Sequence, residues 1–159
     1  MNYLFWALLI ATSVYAFAAG GAPERLGAAG YLLSCTASFI VLSIAPLTRF
    51  HSVEIGVFVV DVLTFLAFTY LALRADRLWT MWMSALLGLG VLGHLARWLG
   101  PEVIPWAYAV ILSVWSYPIL AIMVLGTWNH RRRLVFHGYD PSWSNFSFRS
   151  TKPRAGSTS

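Results

Sequence analysis

Ionisable residues are scarce in this chain: Asp, Glu, Lys and Arg make up 11% of 159 residues, against roughly 25% in soluble domains. A soluble domain so composed would have too little polar surface to meet water. The single cysteine, Cys35, excludes an intramolecular disulfide and an all-cysteine metal site. Catalytic signatures are missing too. There is no G-x-S-x-G, no H-E-x-x-H and no P-loop, so no enzyme class is indicated. The net charge of +5 comes with no groove-reading motif or aromatic-basic platform, which argues against nucleic acid as a partner.

What is present is hydrophobicity in long runs. The chain is 58% hydrophobic, with a mean hydropathy of +0.67. Residues 55–73 contain only one group that ionises near neutral pH, Asp61. A run of ~20 apolar residues is what a helix needs to cross a hydrocarbon core ~30 Å thick. Similar runs fall at about 3–19, 28–45, 78–98 and 105–128. The expected fold is all-α: a polytopic membrane protein whose residues 1–129 form a bundle of five transmembrane helices. Residues 130–159 then make a basic, partly disordered cytoplasmic tail. Ala16-Phe17-Ala18 offers a small-x-small pattern like a signal-peptide cleavage site. No Lys or Arg precedes the first apolar run, however, and it reads as a retained helix.

Breakers and charges supply the connections. Residues 20–27 read as a first loop through their glycines and proline. Arg74-Ala75-Asp76-Arg77 is tight enough to make the third and fourth helices antiparallel neighbours. Loops one and three share a side with the C-terminus in a five-span chain. That side carries Arg25, Arg74, Arg77, Arg131, Arg132 and Arg133, with Arg149, Lys152 and Arg154 farther out. The other side carries Arg49 and Arg97. The positive-inside rule then puts the N-terminus outside and the C-terminus in the cytoplasm. Trp79, Trp82 and Trp128 fall at the inner ends and Trp6, Trp98 and Trp106 at the outer ends, as aromatic belts do. Arg131, Arg132 and Arg133 form a basic anchor facing anionic lipid headgroups.

The segments Arg74-Ala-Asp-Arg-Leu-Trp-Thr-Met-Trp82 and Ile104-Pro-Trp-Ala-Tyr-Ala through Trp115-Ser-Tyr-Pro118 resemble small polytopic inner-membrane proteins of alphaproteobacteria that carry no assigned activity. The likeness covers mainly helices three to five and rests on tryptophan placement. It implies residence in a bacterial inner membrane and no particular chemistry.

Candidate functional residues follow from depth. Asp61 lies six residues into its helix, about 9 Å below the outer boundary, and His94 lies four residues before Trp98, about 6 Å below it. Two ionisable groups on antiparallel neighbours are thus expected at one depth, with Arg97 one turn beyond His94 and Thr64 three residues after Asp61. A carboxylate inside such a run costs about 2.5–3.5 kcal/mol at a helix centre and marks a proton or ion path. The competing reading is a buried Asp61–His94 or Asp61–Arg97 pair that fixes helix packing.

Other polar features read as packing. Gly30, Ser34, Ala37, Ser38, Val41 and Ala45 form a small-residue seam on the second helix that lets backbones approach. Gly90, one turn before His94, gives similar room. Pro118 removes an N–H in mid-helix and frees the carbonyl of Val114, so a kink is expected there. Ser113, Ser116 and Tyr117 beside it would line any polar pocket so formed. No cofactor is expected. Haem ligation across a bundle needs histidines on facing helices, whereas His51 falls in a loop and His130 and His137 fall beyond the last span. The expected role is a non-catalytic accessory or scaffold subunit, held in the bilayer and packed against itself or a larger membrane complex. The alternative is a small transporter or proton/cation-conducting protein using Asp61 and His94.

Overall fold

The computed structural model describes residues 3–44, 55–99 and 105–143, with the side chains of 105–113 excepted. Outside that description lie Ala45 of the seam, Arg49, His51, the side chains of Trp106 and Ser113, and tail residues Arg149, Lys152 and Arg154. Five helices occupy the described residues: α1 (Tyr3–Ala19), α2 (Ala22–Ile44), α3 (Ile55–Arg74), α4 (Leu78–Leu99) and α5 (Pro105–His137). Three of them, α2, α3 and α4, are long and apolar enough to cross a membrane, and α1 is a shorter apolar helix.

Two boundaries differ from the sequence expectation, each for a local reason. Helix α2 starts at Ala22, six residues before the expected start at 28. Gly21 acts as its N-cap: the Gly21 carbonyl accepts the Arg25 N–H at 3.1 Å, and the Gly21 N–H donates to Glu24 Oε2 at 3.1 Å. A glutamate at the third helical position reaching back to the cap is half of a capping box. Pro23 sits in the first turn, where its missing N–H has no helical partner to lose. The glycines and proline that read as a loop therefore start a helix. Helix α5 runs on past Trp128 to His137. It stops at Gly138, whose φ of +68° and N–H bond to the Leu134 carbonyl (2.9 Å) make a left-handed cap. At 33 residues it is about 50 Å long, well beyond the thickness of a hydrocarbon core. Pro118 is accommodated within it.

The helices close into a ring. Each packs on its neighbours in chain order, α5 returns against α1, and α2 touches α5 across the middle. The core is Leu9 and Ala16 from α1, Ala28 and Tyr31 from α2, Phe68 from α3, Met83 from α4, and Ile119 and Met123 from α5. Three residues of the α2 seam face α3. Gly30 lies against the Phe68 ring, Ser34 against Thr64, and Val41 against Gly56, all on α3. Ser38 is half-buried on the same helix. Gly90 does not serve as expected, because a Cβ there would meet nothing within 4 Å among the described residues. The close approach is made by Gly88, where a Cβ would stand 3.1 Å from the Phe65 ring. Cys35 packs at the edge of the core.

Large apolar side chains cover the outside. Leu33 is 71% exposed, Leu63 61% and Leu92 57%, all in mid-helix. Apolar surface this extensive signals an apolar surrounding or partner, which agrees with helices long enough to span a bilayer.

Candidate functional site

Two polar clusters lie at opposite ends of the ring. At one end α3 and α4 bring Asp61 and His94 together, with Oδ2 and Nε2 2.9 Å apart. His94 is 1% exposed, while the Asp61 side chain is 29% exposed. The Phe58 ring meets the imidazole edge-on at 5.7 Å and also packs on Trp98 at 5.0 Å, closing the pair on one side. Asp61 and His94, expected at one depth, are in contact at hydrogen-bond distance, and Arg97 is buried one turn beyond His94. Thr64 is turned elsewhere. Its hydroxyl lies 2.7 Å from both the Ser34 hydroxyl and the Val60 carbonyl, so it ties α3 to α2. A second hydroxyl pair, Thr69 and Ser84 at 2.7 Å, ties α3 to α4.

The other cluster was not anticipated. The α1–α2 turn, the α3–α4 turn and the end of α5 converge on Arg77, whose side chain is 1% exposed. Its Nη1 lies 2.6 and 2.7 Å from the two Asp140 oxygens, and its Nε lies 3.3 Å from Glu24 Oε1. Trp79 Nε1–H donates to the same Glu24 oxygen at 3.0 Å. His130 Nδ1 is 2.6 Å from Asp140 Oδ2. Arg77 has only protons to offer, so its Nη2 at 3.3 Å from Nδ1 is a neighbour of that ring nitrogen, and the Nδ1 proton goes to Asp140. Arg133 Nε completes the set, 3.2 Å from Asp140 Oδ1.

The charges balance: Glu24 and Asp140 face Arg77 and Arg133. Burial alone pushes the Asp140 carboxyl up. The Arg77 and His130 hydrogen bonds, with the charges of Arg77 and Arg133, outweigh it and hold the group below its ordinary value. Packing reinforces the electrostatics. A Cβ on Gly27 would stand 2.6 Å from Trp79 Cη2, and one on Gly126 2.6 Å from Trp79 Cγ. The indole is therefore clamped between α2 and α5. Expected in an interfacial belt, Trp79 is instead buried. Trp82 and Trp98 are more than half exposed. Trp128 lies under the Arg132 guanidinium at 4.8 Å.

The basic run is accordingly divided. Arg131 and Arg132 point outward, while Arg133 turns back to Asp140. The segment after α5 also folds back, with Trp143 bridging Ala75 in antiparallel fashion.

Chemically, the Asp140–His130 dyad has no hydroxyl or thiol hydrogen-bonded to the imidazole among the described residues. Nor do three His, Cys, Asp or Glu side chains converge there as metal ligands would. Both clusters join side chains from separate elements of the chain. Sequence reasoning missed Glu24, Arg77, Trp79, His130 and Asp140. The usable signal was Gly21-Ala-Pro-Glu24, a helix start that places Glu24 beside the α1–α2 turn. Comparison with known proteins found no matching family model, no matching curated protein and no matching solved structure.

Proposed function

We propose that this chain is a non-catalytic integral membrane protein that crosses the bilayer five times and serves as a small accessory or scaffold subunit of a larger membrane assembly. The supporting observation is the way its buried polar groups are used. Arg77 pairs with Asp140 and Glu24, Asp140 bonds to His130, and the set joins three helix junctions, while the hydroxyl pairs join α2 to α3 and α3 to α4. Side chains committed in this way hold a shape. The loop-charge count and the resemblance favour a bacterial inner membrane, N-terminus outside and C-terminus cytoplasmic. The test is gentle extraction of a tagged chain from its native membrane, followed by mass spectrometry. Stoichiometric recovery with a larger membrane complex, unchanged in Asp61→Asn, is the expected result; a chain that purifies alone would sink the reading.

One observation favours a second reading, a proton or cation conductor. Asp61 keeps part of its side chain exposed beside a fully buried His94, as a relay would require. Liposomes loaded with a pH-sensitive dye decide the matter. Equal proton flux through wild type and Asp61→Asn removes this reading, whereas flux lost only in the variant would establish it.

A further inference from the structure

Leu26 and Gly30 of α2, with Ala67 and Phe68 of α3, line a groove of about 410 Å³ that ends at Arg74 and Trp143. It lies between α2 and α3, two helices long and apolar enough to span a membrane, so, on the membrane-spanning reading proposed above, bilayer lipid is what meets it. We infer that this groove seats one anionic glycerophospholipid, with its headgroup at Arg74 and an acyl chain along Gly30 and Phe68.

Shape and charge both point to that occupant. From Ala67 to Arg74 the groove follows about 10 Å of helix, a slot for the glycerol region and the upper part of one chain. Its floor is left open by Gly30, where a Cβ would meet only Phe68 Cε2, at 3.7 Å. Among the described residues that line it, the one charged side chain is that of Arg74. The Arg74 guanidinium is held 5.3 Å over the Tyr70 ring, so the cation stays at the groove's end. Trp143 is positioned there by its backbone bridge to Ala75, and tryptophan favours the headgroup level of a bilayer. Cation at the end, apolar walls behind it and an opening toward lipid are what a phospholipid with a negative head requires.

The full chain is reconstituted in vesicles of equal phosphatidylcholine and phosphatidylglycerol, re-extracted gently, and its retained lipid identified by native mass spectrometry. Wild type should hold one phospholipid per chain and favour phosphatidylglycerol about fivefold, the preference one basic side chain confers near anionic headgroups. Arg74→Gln should keep a lipid and lose the preference. Ala67→Phe and Gly30→Leu, which fill the groove from opposite walls, should lose the lipid, while Gly30→Ala should retain it. Excess inorganic phosphate should displace nothing. Equal retention of the two lipids by wild type would overturn the proposal. So would undiminished retention in Ala67→Phe, or retention that appears only once the chain is cut after Trp143, since the tail would then be the occupant.

Discussion

Arg77 faces two carboxylates and an imidazole while 1% of its side chain is exposed. Removing one member of a buried ionic set leaves an uncompensated charge, at a cost of about 3–5 kcal/mol. Arg77→Met should therefore lower the thermal unfolding midpoint in detergent sharply. Arg77→Lys should recover only part of the loss, because an ammonium cannot reach Asp140, Glu24 and the His130 face from one planar fork. Asp140 adds a pH dependence whose sign is fixed. Its folded carboxyl titrates below its ordinary value, so its stabilisation is fully present above about pH 3.9, the unfolded aspartate value. It is lost as pH falls from there through the folded value. An acid titration of unfolding midpoints should show that loss in wild type and a flatter profile in Asp140→Asn.

At the level of helices, the contrast between the two clusters explains what could be read in advance. Asp61 and His94 sit on consecutive helices joined by a tight turn, so counting residues from one membrane boundary aligns them. Arg77 meets Asp140 across 63 residues and Trp79 meets Glu24 across 55. Those contacts depend on α5 closing the ring beside α1 and α2, which no local pattern of apolar residues encodes. Glycines divide in the same way. The α2 seam was visible as a spacing, whereas Gly126 matters only because Trp79 of another helix lies against it. Gly126→Ala should destabilise by about 1–3 kcal/mol through overpacking, measured by thermal unfolding. Gly90→Ala, where a Cβ meets nothing within 4 Å among the described residues, should be neutral or slightly stabilising through improved helix propensity. Equal losses from the two would contradict the packing described here.

For the whole molecule, the ring places the α1–α2 turn, the α3–α4 turn and the end of α5 at one end, and Asp61 with His94 toward the other. Cys35 is the one native cysteine, so a Cys35→Ser background permits single-site labelling in intact membranes. Cysteines at Asp76 and Arg132, both exposed, should react from the same side of the membrane, and that side should be the cytoplasm. Labelling from opposite sides would break the alternation of the helices.

The Arg77–Asp140 contact also imposes an order on biosynthesis. Arg77 and Glu24 leave the ribosome long before Asp140, and α5 must be made between them. Through that interval the α3–α4 turn holds its cation with only part of its counter-charge. Chains ending before Asp140 would keep every apolar helix and still lack their final clasp, the kind of product that membrane quality control removes.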